Sequence, residues 1–277
     1  MKINIKSLLA CAVLSSLLFS CQKDSSLKTT DTPAISSDVL RQISAQGFST
    51  EGVIAMDGGY IVEGDIYLSN EALSKPASRL NLRVAEEEQY RTTNLIGSLP
   101  RRITVSISGL DPIFVVATDS AIRRYNRVQL GNLRFRRVAS GGEIQIEGAM
   151  LPPGVLGSSG GFPDDEGNPP SNPITLSTRS GAFGANPTVQ YLTTIIAHEI
   201  GHTIGFRHTD YANRNYSCGF SLPGTRNEGD AGVGAIWIPG TPTGPQDPGS
   251  WMLACIGQNV NRPFNVNDLI ALNYLYD

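Results

Sequence analysis

The chain has 277 residues, of which 40% are hydrophobic, and a formal net charge of −3. So small a negative charge gives no indication of a nucleic-acid partner. The arginines between Arg101 and Arg137 fall on alternating and helical positions, so a solvated face accounts for them. We therefore predict no nucleic-acid partner.

The N-terminus has the pattern of an export signal. Lys2 and Lys6 are followed by a largely apolar run over 8–19, which is too short to span a bilayer as a helix. The string Leu18-Phe19-Ser20-Cys21 resembles the lipobox of bacterial lipoproteins, in which cleavage before the cysteine is coupled to its acylation. An ordinary secretory signal cut nearby is the alternative. We predict a signal peptide over 1–20 and lipidation at Cys21. The protein would then be exported, and either anchored to the outer membrane or cell surface of a Gram-negative bacterium or secreted.

Three regions follow the signal. Residues 21–34 are rich in Ser, Thr and Asp and are predicted to be a flexible tether. Residues 35–89 are predicted to be a small N-terminal region or a propeptide, with a strand over Tyr60–Leu68 and a helical segment after it. Residues 90–277 have the size of one compact domain.

The 90–277 region is predicted to contain both strands and helices. The strand predictions that rest on alternating apolar residues are Ile103–Ile107, Leu133–Val138 and Glu143–Ile146. Between the first two, a helix is predicted over Asp119–Val128 with Thr118 as its N-cap.

The second half of this region is predicted to hold a short strand and two helices. A long loop rich in Gly and Pro, over Leu151–Pro173, precedes an edge strand at Ile174–Ser177. A helix then runs from Asn186 and Pro187, as N-cap and N1 residues, to Ile204. The last helix covers Asn265–Tyr276 and is capped by Asn265 and Asp268.

All three histidines lie within 198–208, in a string that reads H-E-x-x-H-x-x-G-x-x-H. On a helix, His198 and His202 lie one turn apart on the same face and can share one Zn²⁺. Gly205 can take the left-handed conformation that ends a helix, so that the turned chain brings His208 to the same metal. Glu199 is placed to act as general base on a zinc-bound water. Because a chance match to this motif is rare, the string predicts a catalytic zinc site.

Two cysteines remain once Cys11 has left with the signal peptide and Cys21 carries lipid. In an oxidising compartment Cys218 and Cys255 are predicted to form one disulfide. Two free buried thiols are the alternative. They are not predicted to bind zinc, because three histidines and a water already fill a catalytic site.

The order of the elements and the histidine string resemble the metzincin clan of zinc endopeptidases. The clan's second mark is a Met-turn, in which a methionine forms an apolar floor under the three imidazoles, and Met252 is the candidate here. Over roughly residues 90–277 the chain is also similar to the myxobacterial protease B-like family, in the strings Thr193–Ala197, Thr209-Asp210 and Pro239–Thr243. Ala254, two residues after Met252, occupies the position of a zinc-shell tyrosine in astacin-like and serralysin-like enzymes, so that group is missing.

The resemblance implies an α+β fold. We expect a metzincin-like catalytic domain with a twisted mixed sheet, a zinc-binding active-site helix and a loop-rich C-terminal subdomain that ends in a helix. It also implies a zinc-dependent endopeptidase, secreted or surface-anchored and expected to be a monomer. Glu199 would take a proton from the zinc-bound water and pass it to the leaving amine. Extended protein or peptide substrates would pair with the edge strand at Ile174–Ser177.

Two alternatives remain open at this point. A non-catalytic surface lipoprotein could hold a structural zinc ion, but such a site needs no base like Glu199 beside its first ligand. A zymogen could use the 35–85 segment to block the cleft, with Asp57 or Asp65 as a carboxylate ligand of zinc, although an ordinary strand is the simpler interpretation of these residues. Of the remaining acids, Asp210 could orient an imidazole but is expected to be an exposed loop carboxylate. Glu228 and Asp230 fall short of a calcium site.

Overall fold

The computed structural model describes residues 35–75, 89–219, 228, 235–242 and 247–277. Residues 35–277 form one compact unit. The predicted signal peptide 1–20, the lipidation residue Cys21, the tether 21–34 and Asp230 lie outside the described residues. Within the described ranges, no helix is long and apolar enough to cross a membrane.

The described residues form six helices and ten strands. The helices are α1 (Ser37–Ala45), α2 (Asn70–Ser74), α3 (Pro112–Arg127), α4 (Val189–Thr203), α5 (Asn215–Cys218) and α6 (Val266–Tyr276). The strands are β1 (Ile54–Met56), β2 (Gly59–Val62), β3 (Ile66–Ser69), β4 (Tyr90–Arg91), β5 (Arg101–Ser108), β6 (Leu133–Arg137), β7 (Ile144–Ala149), β8 (Gly157–Ser158), β9 (Ile174–Ser177) and β10 (Ile236–Trp237).

A mixed five-stranded sheet forms the centre of the molecule, in the order β6-β5-β7-β9-β8. The first four strands are parallel, and β8 pairs antiparallel with β9. Because alternate residues of a strand point to opposite faces, Ile103 and Val105 of β5 are both buried in the main core. Helices α3 and α4 pack against each other and contribute to the same core. The α+β fold with a mixed sheet and a terminal helix is therefore confirmed.

The strand predicted at Ile174–Ser177 is present as β9, but its assignment to the sheet edge was wrong. It is paired on both sides, by β7 and by β8. The edge on this side of the sheet is the two-residue strand β8, which lies inside the segment predicted to be a loop. A strand of two residues with one glycine is too short to produce an alternating pattern.

Two predicted boundaries also differ from the structure. Helix α3 begins at Pro112 with Asp111 as N-cap, and Thr118 lies inside it, where its hydroxyl donates to the Phe114 carbonyl. Pro112 at the start is the signal that marks this N-terminus. Helix α4 begins at Val189, because the Thr188 hydroxyl accepts a hydrogen bond from the Tyr191 N–H and caps it.

The N-terminal region (residues 35–89) contains α1, α2 and the antiparallel sheet β1-β2-β3 among its described residues. The single strand predicted over Tyr60–Leu68 is a hairpin, since the chain turns at Glu63-Gly64-Asp65 between β2 and β3. Alternation continues through this short turn, so periodicity alone does not reveal it. Its apolar residues form a small core of their own, which includes Ile43 and Val62.

Two cross-links hold the loops that follow α4. The predicted disulfide between Cys218 and Cys255 is confirmed. At the C-terminus, Asn265 and Asp268 form the predicted capping box of α6. The buried Asp268 carboxylate also accepts hydrogen bonds from the Trp251 N–H and from the Gln89 side-chain amide. The cap of the last helix therefore also fixes the turn that contains Met252.

We expect Asp268→Ala to lower the free energy of unfolding by about 2–4 kcal/mol, because it removes a helix cap and leaves buried donors without acceptors. Denaturant unfolding measures the loss. Glu147→Ala, which removes an exposed carboxylate from β7, should change stability by less than about 0.5 kcal/mol. An Asp268→Ala protein as stable as the Glu147→Ala protein would contradict this role.

Candidate metal centre

Helix α4 and the turn after it bring the three histidines together. The helix carries His198, Glu199 and His202 and is buried along most of its length. It ends at Thr203, after which Gly205 has a φ of 100°, in the left-handed region that glycine adopts without strain. The Gly205 N–H donates to the His202 carbonyl at 2.9 Å. This turn returns the chain so that His208 faces the other two histidines, as the sequence predicts.

The three imidazoles point their Nε2 atoms at one another. Nε2 of His198 lies 3.2 Å from Nε2 of His208 and 3.0 Å from Nε2 of His202. A tetrahedral Zn²⁺ ion with ligands at about 2.0–2.1 Å holds its ligand atoms about 3.3 Å apart. The spacing of these nitrogen atoms therefore fits a shared zinc ion.

The opposite ring nitrogen of each histidine has an acceptor. Nδ1 of His198 lies 2.8 Å from the Trp251 carbonyl, and Nδ1 of His202 lies 2.8 Å from the Phe206 carbonyl. Nδ1 of His208 lies beside the carboxylate of Glu228. An Nδ1–H that donates to these acceptors leaves Nε2 unprotonated, which is the form that binds a metal.

Asp65 is the fourth member of the cluster. Its Oδ2 atom lies 3.0 Å from Nε2 of His208 and 3.3 Å from Nε2 of His198, and its Oδ1 atom lies 3.8 Å from Nε2 of His202. Oδ1 is buried and has no hydrogen-bond partner among the described residues, as expected of a metal ligand. Burial favours the protonated form, but His208, His198 and His202 hold the pKa of Asp65 well below its usual range. The structure thus places Asp65 at the site, whereas Asp57 is exposed.

Glu199 lies between the cluster and the edge strand. A side chain on Gly157 of β8 would come within 2.6 Å of its Oε1 atom, so the glycine makes room for the carboxylate. Its Oε2 atom is buried without a hydrogen-bond partner in the described part of the chain. Burial, and secondarily the Asp65 charge, raise the pKa of Glu199 well above its ordinary value. Such a carboxylate is suited to accept a proton.

Met252, the candidate Met-turn residue, lies against α4 at Gly201. It is fully buried, and the Thr209 N–H donates to its carbonyl at 2.9 Å. A Cβ on Gly201 would lie 2.5 Å from the Met252 sulfur and 3.2 Å from the Trp251 indole nitrogen. Gly201 therefore allows the Met-turn to approach the helix closely, between the two histidines of α4.

The expectation that Asp210 is exposed was wrong, whereas no calcium site was expected at Glu228. Asp210 is buried, and it accepts hydrogen bonds from Ser217 and from the Ala254 N–H. Asp210 is thus not an exposed loop carboxylate, and its hydrogen bonds within the described residues go to the Ser217 and Ala254 segments rather than to an imidazole. Glu228 is buried against His208, Arg214 and Arg207. A lone acid in a loop rich in glycine has no sequence pattern that could have revealed this position.

A cavity of about 310 Å³ opens beside His198 and Glu199. Its walls include Asp65 and several side chains from α4 and from the segment after the Met-turn, namely Thr194, Ile195, Leu253, Ile256 and Arg262. The centre can therefore be reached from a cleft in which a substrate side chain would fit.

Two histidines one turn apart, a glycine that ends their helix, a third histidine and a buried Met-turn define a metzincin-type zinc metallopeptidase. The model of the family described as dual-action HEIGH metallo-peptidase matches residues 60–276, and the chain belongs to this family. The five letters of that description are residues 198–202 of this sequence. The family and the buried histidine cluster make the chain a zinc metalloendopeptidase.

Solved structures of proteases are similar to this chain at low sequence identity. One structure of myroilysin has 14% identity and a TM-score of 0.46, over 68% of this chain and 98% of that chain. A second structure of myroilysin has 13% identity and a TM-score of 0.40, over 72% and 91%. High choriolytic enzyme 1, a hatching enzyme zinc-protease from Oryzias latipes (medaka fish), has 19% identity and a TM-score of 0.37, over 63% and 88%. No match was found among curated protein sequences.

We expect Gly201→Ala to lower stability, although alanine is favoured over glycine by about 1 kcal/mol inside a helix. The new methyl group would overlap Met252, and overpacking of this kind costs about 1–3 kcal/mol. Thermal unfolding of the zinc-loaded protein measures the effect.

The double variant Gly201→Ala/Met252→Ala tests the contact directly. Because the shortened side chain removes the overlap, the double variant should be more stable than the sum of the two single losses predicts. If Gly201→Ala is more stable than the wild type, or if the two losses are strictly additive, the contact between the Met-turn and α4 does not restrict the side chain at residue 201.

Proposed function

We propose that the chain is the latent form of an exported zinc endopeptidase, in which the N-terminal region blocks the catalytic centre through Asp65. The observation that carries this proposal is that the two Asp65 oxygen atoms lie 3.0–3.8 Å from the Nε2 atoms of all three histidines. His198, His202 and His208 are then the lasting ligands of zinc. Asp65 takes the position that a catalytic site keeps open for water or substrate.

When bound, zinc supplies a Lewis acid that polarises the scissile carbonyl and acidifies the attacking water. Glu199 performs the proton transfers, because it is the carboxylate next to His198 that has an oxygen free of hydrogen bonds in the described structure. It takes the proton of the water and then gives it to the leaving amine. The backbone carbonyls of Trp251 and Phe206 keep two of the imidazoles in place throughout.

Two further contacts of the N-terminal region support the latent form. The Ser159 N–H donates to the Asp65 carbonyl at 2.7 Å, and the Tyr67 N–H donates to the Ser159 carbonyl at 3.0 Å, so β3 is paired beside the sheet edge. Glu63 forms a buried ion pair with Arg207 at 2.7 Å. The region is therefore held by this backbone pairing, by the ion pair of Glu63 with Arg207 and by the Asp65 carboxylate at the zinc site.

The substrate is proposed to be an extended protein or peptide that pairs with the edge strand β8 near Gly157–Ser159. This position replaces Ile174–Ser177, which is covered by β8. Backbone atoms of Ser159 already bond to the N-terminal region, so that region and a substrate would compete for them. Removal of the N-terminal region would thus free both the zinc position and the edge.

We also propose that the protein is exported and carries a lipid anchor at Cys21. The disulfide between Cys218 and Cys255 supports export, because such bonds persist in oxidising compartments. The resemblance to the myxobacterial protease B-like family remains a prediction from the residues that carry it.

Glu199→Gln is expected to retain zinc and to lower peptide hydrolysis by about 10²–10⁴-fold or more, because the amide cannot accept the proton. The activated protein would be assayed with a quenched fluorescent peptide, and its zinc content would be measured in parallel. Glu147→Gln, a matched change on the exposed face of β7, should leave hydrolysis unchanged. Retained hydrolysis in a pure, zinc-loaded Glu199→Gln protein would refute the role of Glu199.

Asp65→Ala is expected to raise the activity of the uncleaved chain roughly tenfold or more, because the competitor for the open position is removed. Asp57→Ala removes an exposed carboxylate from the turn between β1 and β2 of the same small sheet, and should leave the uncleaved chain as inactive as the wild type. Intact mass must show that residues 35–89 are still attached during the assay.

Equal activity of the uncleaved wild type and the Asp65→Ala protein would contradict latency, whereas Glu199 could still be the base. If the Asp65→Ala protein bound zinc but neither it nor the chain freed of residues 35–89 hydrolysed any peptide, the closed site would instead be structural.

A further inference from the structure

The three histidines differ in what holds their outer ring nitrogen. For His198 and His202 it is a backbone carbonyl, of Trp251 and of Phe206 respectively. For His208 it is a side chain, the Oε1 atom of Glu228, at 2.5 Å from Nδ1. Both partners are buried, so the bond is shielded from water. A backbone carbonyl has no net charge, whereas an ionised carboxylate strengthens the histidine as an electron donor to a metal.

Two arginines surround the Glu228 carboxylate. Nε of Arg214 lies 3.1 Å from Oε1, and Nη2 of Arg207 lies 3.5 Å from Oε2. The Glu228 N–H also donates to the Tyr211 carbonyl at 2.9 Å, which fixes the backbone at this point of the loop. Two guanidinium groups and a backbone hydrogen bond thus hold this carboxylate in place beside His208.

We propose that Glu228 is the positioning residue of the third zinc ligand: it fixes the ring and the tautomer of His208 and increases the strength with which His208 binds zinc. His208 needs such support, because it follows the turn at Gly205 and is not on α4 with the other two ligands. The proposal rests on the zinc site itself and requires neither the latency through Asp65 nor the role of Glu199 as a base.

A purely structural role for Glu228, as the partner of Arg207 and Arg214, predicts different behaviour. Loss of the negative charge would then weaken folding to a similar degree in Glu228→Gln and Glu228→Ala, with no particular effect on the metal. The positioning role instead predicts a graded effect on zinc. The amide oxygen of glutamine can still accept the hydrogen bond from His208, whereas alanine has no acceptor.

The experiment measures zinc affinity by chelator competition, and the visible spectrum of the Co²⁺-substituted protein, in the full chain. We expect Glu228→Ala to bind zinc about 10–100-fold more weakly, which is the usual effect of losing the group that orients a metal-bound histidine. Glu228→Gln should show a smaller loss, and both variants should change the position or intensity of the Co²⁺ ligand-field bands.

Glu63→Gln is the matched control. Glu63 is as buried as Glu228 and is bonded to the same Arg207, but no bond between Glu63 and His208 is found within the described residues. This variant should keep zinc affinity within about twofold of the wild type, since it does not alter the support of a ligand. If Glu63→Gln and Glu228→Gln lose zinc affinity equally, the effect comes from the loss of a buried charge and not from the bond between Glu228 and His208. That result would overturn the proposal.

Circular dichroism establishes whether each variant is folded. A folded Glu228→Ala protein with wild-type zinc affinity and an unchanged Co²⁺ spectrum would also overturn the proposal. If Glu228→Ala does not fold, Glu228→Gln decides alone: a weaker zinc site with altered Co²⁺ bands supports the positioning role, and a wild-type site excludes it.

Discussion

The rest of this structure depends on one constraint: three buried imidazoles converge, with Nε2 of His198 only 3.0–3.2 Å from Nε2 of the other two. Lone pairs this close repel one another, and the arrangement is favourable only around a cation. The surrounding chain meets this constraint by fixing each ring through its Nδ1 atom. Burial of α4, the turn at Gly205 and the Met-turn under Gly201 all keep these nitrogen atoms in their relative positions.

The segment after α4 depends on cross-links rather than on long elements of secondary structure. Among its described residues, the disulfide, the Asp268 carboxylate and the ion pairs of Glu228 hold the loops together, as backbone hydrogen bonds do in the sheet. Each of these links ends within a few residues of a ligand or of its acceptor. Zinc binding and the folding of these loops are therefore expected to be coupled, because a metal that binds only the folded state stabilises it.

The N-terminal region meets the centre through two acidic residues on one tight turn. Asp65 contacts the inner nitrogen atoms of the histidines, while Glu63 pairs with Arg207, which in turn contacts Glu228 behind His208. The same turn thus contacts the inner side of the third histidine directly and its outer side through two buried charges. The bond between His208 and Glu228 itself involves no residue of the N-terminal region.

The sequence by itself determined the local parts of this protein. Four features depend on residues only a few positions apart: the histidine string, the glycine that ends α4, the capping box of α6 and the alternation in β5. The local geometry of helices and strands is enough to interpret such patterns. Only the tertiary structure decided that Asp65, 143 residues from His208, reaches the histidines, and that Glu228 supports one of them. It also decided that β8 forms the edge of the sheet. These contacts join segments that are distant in the chain. Their geometry depends on the packing of the whole core, and local sequence patterns do not predict that packing.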